Sequence, residues 1–137
     1  RASELSANAL IAAIEAGDFY ASTGVTLTEV NRRGDTLAVE VQAEPGVTYT
    51  TQFIGTRRGY DPSTQVLGTP GKTVQHVRYS KDVGMVLAEV TGPRARYTLK
   101  GDELYVRAKI TSSKAKPNAS VPDEVECAWT QPLVNLK

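Results

Sequence analysis

Beyond Gly17 the apolar residues of this 137-residue chain recur at every second position, and no helical period returns before the C-terminus. A period of two places alternate side chains on one face of a strand. A long succession of such segments with polar turns between them excludes α/β architectures, whose parallel strands need helical crossovers. Strands are expected over residues 25–30 and 37–43, joined by the turn at residues 31–35, and over residues 47–54 after the turn Glu44-Pro45-Gly46. Further strands are expected at residues 73–79, 84–90, 94–99, 104–110 and 124–130, with residues 133–136 extending the last along a sheet edge. Residues 55–72, rich in glycine and proline, and the polar residues 112–122 read as loops.

Ahead of Gly17 the period is helical. Ser3 is the expected N-cap, with Glu4 in the first turn, where the helix dipole favours a negative charge. Ala7, Leu10, Ile11 and Ile14 form one apolar stripe, and Gly17 supplies the left-handed stop, for a helix of about three turns. The stripe is narrow and rich in alanine, so it packs against something else and makes no core alone. The expected fold is mainly β: an immunoglobulin-like antiparallel β-sandwich of about eight strands with one short N-terminal helix. A closed barrel satisfies the same pattern almost as well.

Length and composition fit one domain: 40% apolar and 23% charged residues are enough to build a core and too few charges to keep the chain disordered. The 16 basic and 15 acidic side chains nearly cancel, so no positive field gathers phosphate, and nucleic acid is not an expected partner. A membrane span is not expected either, because Glu4, Ser6, Asn8 and Glu15 interrupt the one apolar stretch.

The chemistry available is limited by residue type. His76 and Cys127 are single members of their kinds, so neither an imidazole cluster nor a disulfide is expected, and no catalytic or metal-ligating residue is assigned. No G-x-S-x-G elbow is present, and Gly55-Thr56-Arg57-Arg58-Gly59 lacks the phosphate-loop pattern and reads as a strand-end turn. The Arg32-Arg33 and Arg57-Arg58 pairs read as solvated turn residues, and the Asn118-Ala119-Ser120 triplet as incidental. Cys127 alternates with Val125 and Trp129 and is expected to be buried as a small apolar residue. Trp129 is expected to fill the core or, alternatively, to offer a stacking platform to a ligand.

Two segments go further than strand patterning. The run Leu10-Ile-Ala-Ala-Ile-Glu-Ala-Gly-Asp-Phe-Tyr-Ala-Ser-Thr-Gly24 resembles the helix, Gly, aromatic, Ser-Thr-Gly passage that closes the catalytic domain of metallohydrolases of the PHP family (polymerase and histidinol phosphatase type). Ala128-Trp129-Thr130-Gln131-Pro132 resembles the Ala-Trp-Thr-Asn-Pro ending of the same proteins, with Gln131 in place of the more usual Asn. The residues between, including Tyr49-Thr50-Thr51-Gln52-Phe53 and residues 101–108, resemble the β-rich tail of some bacterial members.

The resemblance implies that residues 1–17 are the end of a catalytic domain and that residues 18–137 are an accessory C-terminal domain without activity of its own. Divalent metals and their His, Asp and Glu ligands belong to the parent's catalytic domain, upstream on the same chain, and no cofactor is expected in this one. Tyr20, Ser22 and Thr23 then face the parent's cleft or cap the helix and turn, and Trp129 joins them as a candidate cleft or interface residue. The stripe Ala7, Leu10, Ile11 and Ile14 packs on the catalytic domain, or is left exposed and open to self-association when that domain is absent. The family favours an extracytoplasmic location. A different class of reading is an independent immunoglobulin-like module that binds carbohydrate or protein through residues 55–72.

Overall fold

The structure, a computed structural model, describes residues 2–68 and 76–135. One helix, α1 (Ala7–Glu15), opens the chain. Strands follow in the order β1 (Tyr20–Ser22), β2 (Leu27–Arg33), β3 (Thr36–Val41), β4 (Tyr49–Arg57), β5 (Thr64–Leu67), β6 (His76–Tyr79), β7 (Met85–Thr91), β8 (Arg94–Thr98), β9 (Glu103–Ala115), β10 (Val125–Thr130) and β11 (Leu133–Val134). The protein is mainly β with one short N-terminal helix, and every strand pairing is antiparallel.

The strands form three sheets. The largest runs β1-β10-β9-β4-β7, with β11 pairing β9 beyond the end of β10; a second runs β2-β3-β8; the third is the pair β5-β6. Tyr20, Thr130, Ala108, Phe53 and Ala88 make one row across the largest sheet. Their side chains share its inner face. Leu37, Val39 and Val41 of β3, with Ala95 and Tyr97 of β8, close onto Tyr49 and Phe53 of β4 and Val106, Ala108 and Ile110 of β9 in a single core. Phe53 and Tyr97 meet there with ring centroids 5.5 Å apart. That separation suits a tilted aromatic pair.

Several expectations are revised. Eleven strands among the described residues replace about eight. Tyr20–Ser22 is a strand where none was expected, because its backbone completes the ladder of β10. Strands occupy part of the loop expected over residues 55–72: β4 continues through Arg57, and Thr64–Leu67 pairs with His76–Tyr79. Four-residue strands are too short for alternation to outweigh the glycines and prolines around them. Residues 69–75, the expected start of a strand among them, and Leu136 lie outside the described residues. β9 runs on through Ala115, into what was read as loop, because Ser113 N–H still pairs with the Thr48 carbonyl.

Candidate docking face and cleft

The helix is capped at both ends, one cap where expected and one displaced. Ser6, in place of the expected Ser3, is the N-cap; its backbone is extended and its Oγ accepts from the Ala9 N–H at 3.3 Å. At the other end Gly17, with φ of +70°, donates to Ile14 O at 3.0 Å while Asp18 donates to Ala13 O at 2.8 Å. This paired closure satisfies two orphan carbonyls and needs a residue that tolerates the left-handed conformation. Arg32 of β2 then pins the helix end, donating to Gly17 O at 2.8 Å and to Asp18 Oδ1 at 3.1 Å.

What the helix does not do is pack. No residue of α1 is buried; Leu10, Ile11 and Ile14 are 43%, 53% and 60% exposed, Ala7 is exposed beside them, and Leu5 and Phe19 continue the apolar surface on either side. The helix has few internal hydrogen bonds and no tertiary burial, the contribution on which helices in proteins chiefly depend.

Between the helix end and β2 lies a cleft of about 460 Å³, lined by Gly17, Asp18, Phe19 and Tyr20 on one side and by residues 27–33 on the other. Of the candidate cleft and interface residues named from the sequence, only Tyr20 lines it. The Tyr20 hydroxyl accepts from the Leu27 N–H at 3.1 Å, beside a register shift in β2 between Leu27 and Glu29, so the ring props up an irregular strand.

Ser22 and Thr23 face backbone instead. Ser22 Oγ donates to Val25 O at 2.6 Å and accepts from Gly24 N–H at 3.0 Å. Thr23 Oγ1 accepts from Cys127 N–H at 2.9 Å, and Thr23 N–H donates to Cys127 O at 2.9 Å. The Ser-Thr-Gly turn thereby extends the β1-β10 ladder to Cys127, where the pairing of β10 with β9 shifts register. Gly24 suits this position, because its φ of +155° disfavours other residues and a Cβ would overlap the end of the buried Glu126 side chain, which would have to move.

Trp129 and Cys127 correct the expectation for β10. Glu126, Ala128 and Thr130 are the buried residues of this strand, and Val125, Cys127 and Trp129 are only partly covered on the opposite face. The inner phase is set by contacts that apolar character does not reveal: Thr130 Oγ1 accepts from Ala108 N–H at 3.0 Å where β10 gives way to β11. Trp129 lies in register between Ala21 and Lys109 on the outer face, away from both the core and the cleft.

The strongest buried charge had no signal in the sequence beyond a carboxylate next to a turn. Glu103, fully buried, accepts from the Tyr97 hydroxyl, from Lys100 N–H at 2.8 Å and from Gly101 N–H at 3.1 Å. Burial alone would push its pKa up, but these hydrogen bonds outweigh it and hold the carboxyl below its ordinary 4.5. Burial and the same bond push the Tyr97 hydroxyl up to about 12. The cluster closes the β8-β9 turn and is reinforced by the Arg57–Asp102 ion pair. His76 is exposed on β6, and among the described residues no three His, Cys, Asp or Glu side chains converge as a metal site. No helix among them is long and apolar enough to cross a membrane. In comparisons with known proteins, no family model, no curated protein and no solved structure matches this chain.

Proposed function

We propose that this chain is a non-catalytic, immunoglobulin-like β-sandwich module that packs on the catalytic domain of a PHP-like metal-dependent hydrolase and shapes its cleft. The sandwich reading is supported by two antiparallel sheets that share one core. The observation that carries the functional reading is the bare apolar face of α1. A helix closed at both ends and anchored through Arg32, yet with Leu10, Ile11 and Ile14 in solvent, is built to be covered by a surface other than its own sheets. Its place just before the Ser-Thr-Gly turn is where the resemblance puts the junction with the catalytic domain. Among the described residues no donor set fits a catalytic metal site; the resemblance assigns the metals to the upstream domain, and no reaction step is assigned to residues here.

The test is binding between this chain and the catalytic domain produced as a separate polypeptide, followed by calorimetry. Replacing Ile11 and Ile14 by Asp is expected to weaken the complex by at least ~10-fold, the equivalent of losing about 1.4 kcal/mol of apolar contact. Absence of binding by the unmodified chain would refute the proposal. So would phosphoesterase activity of this chain alone that a chelator removes.

A further inference from the structure

We infer that the β5-β6 pair is an arm that grips the same catalytic domain as α1, so that two apolar elements clasp one partner at one end of the molecule; the inference rests on the accessory-module reading above.

The arm leaves the largest sheet where β4 ends at Arg57 and rejoins it where β7 begins at Met85. Its base is fastened by Ser80 Oγ donating to Asp61 O at 2.6 Å, by Asp61 N–H donating to Asp82 Oδ2 at 3.1 Å, and by Gly84 N–H donating to Thr56 Oγ1 at 3.0 Å. Val66 stands opposite Val77 and Thr64 opposite Tyr79, so these four share one face. Nothing in the described chain covers that face: Val66, Val77 and Tyr79 are 58%, 44% and 63% exposed. A two-stranded ribbon is at best marginally stable in water. An ordered base carrying an open apolar face therefore points to a covering surface.

The topology says which surface. In the row Tyr20, Thr130, Ala108, Phe53 and Ala88, the chain leads from Tyr20 back to α1 on one edge. On the other edge, the antiparallel register carries β4 from Phe53 toward Arg57 and β7 from Ala88 back to Met85, in the same direction. Helix and arm thus spring from the same end of the sheet, with the exposed Val134 of β11 between them. Five strands separate the two edges by about 19 Å, four inter-strand spacings. That is within the width of one folded domain.

Area favours a single partner for both. Either apolar face alone is a few hundred Å² at most, roughly the size found on ordinary monomers. A stable interface needs about 800 Å² per partner, which is approached only if both are covered together. The charges beside the helix stripe are acidic, Glu4 and Glu15, whereas those at the base of the arm are mixed, Lys81 beside Asp82 and Asp61. The partner is therefore expected to be basic around its helix contact.

Hydrogen exchange followed by mass spectrometry, on the full-length parent and on this chain alone, tests the inference. The expected result is that amides of residues 64–67 and 76–79 slow by at least ~10-fold in the parent, together with those of α1, a protection equivalent to about 1.4 kcal/mol. In the parent, Val66→Asp with Val77→Asp is expected to abolish protection of the arm and leave that of α1. Slowing of α1 without the arm would overturn the inference and leave the accessory-module reading standing. Slowing of neither would overturn both. Arm protection in the isolated chain that rises with its concentration would identify a second copy as the occupant and overturn the inference as well.

Discussion

Glu103 shows how much one buried side chain can hold. Its carboxylate binds two backbone N–H groups and the Tyr97 hydroxyl, and hydrogen bonds to an ionised group are stronger than neutral ones. Because its folded pKa is depressed, the stabilisation is complete above the ordinary value of 4.5 and is lost as pH falls through the lower folded value. Tyr97 has the opposite sense: its raised pKa stabilises the fold fully below 10.0 and ceases to do so as pH climbs toward about 12. Glu103→Gln is expected to cost about 2 kcal/mol at pH 7 and to flatten the acid limb of the stability profile. Urea midpoints between pH 3 and 7 (roughly the span over which carboxylates titrate) would show an unchanged acid limb if that account were wrong. Thr51 is the converse case. Its buried Oγ1 has no hydrogen-bond partner, so Thr51→Val is expected to raise stability by about 1 kcal/mol; a lowered midpoint would mean that the hydroxyl is satisfied after all.

At the scale of elements, local closure and tertiary packing part company in α1. Its caps explain why it stops and starts where it does, but none of its apolar residues is buried. Replacing Ile11 and Ile14 by Ser is therefore expected to change the melting free energy of the isolated chain by less than about 0.5 kcal/mol, as for other exposed positions. A larger loss would place the stripe against the sheets. β4 is the opposite: Gly55 sits inside it with Tyr105 O only 2.3 Å from where a Cβ would stand and Leu87 Cδ1 at 2.7 Å. Gly55→Ala must displace backbone of β9, and a cost of about 2 kcal/mol is expected in the denaturant midpoint. An alanine variant as stable as the parent would show that the two strands can part freely.

For the whole molecule, the pairing of β1 with β10 matters most. It joins Tyr20 to Thr130, so residues near the two ends of the described chain complete one sheet. Contacts this distant in sequence are made only after long loops close, and folding on a scale of milliseconds to seconds is expected, as for other all-β domains. Deleting residues 2–15 should leave the melting temperature within ~2 °C, because α1 buries nothing. Deleting residues 2–24 should lower it by several degrees, roughly 3–4 °C per kcal/mol lost, and promote association, because β10 becomes an open edge. Equal melting temperatures for the two truncations would deny β1 that part.

The alternation beyond Gly17 determined by itself that the protein is antiparallel β, and the helical stripe ahead of it determined one short helix, because backbone periodicity and burial are local properties of sequence. Most strand positions were legible for the same reason, to within a few residues. The phase of β10 was not. Cys127 and Trp129 are its more apolar residues, yet Ala128 and Thr130 face inward, because cross-strand neighbours and the gap beside β11 decide which face a strand buries. The candidate site divided along the same line. The stripe of Leu10, Ile11 and Ile14 could be read from spacing; that nothing covers it, and that Thr23 pairs with Cys127, depend on segments far apart in the chain. Only the tertiary structure decides such features, since their energies belong to contacts between segments that carry no mark of one another.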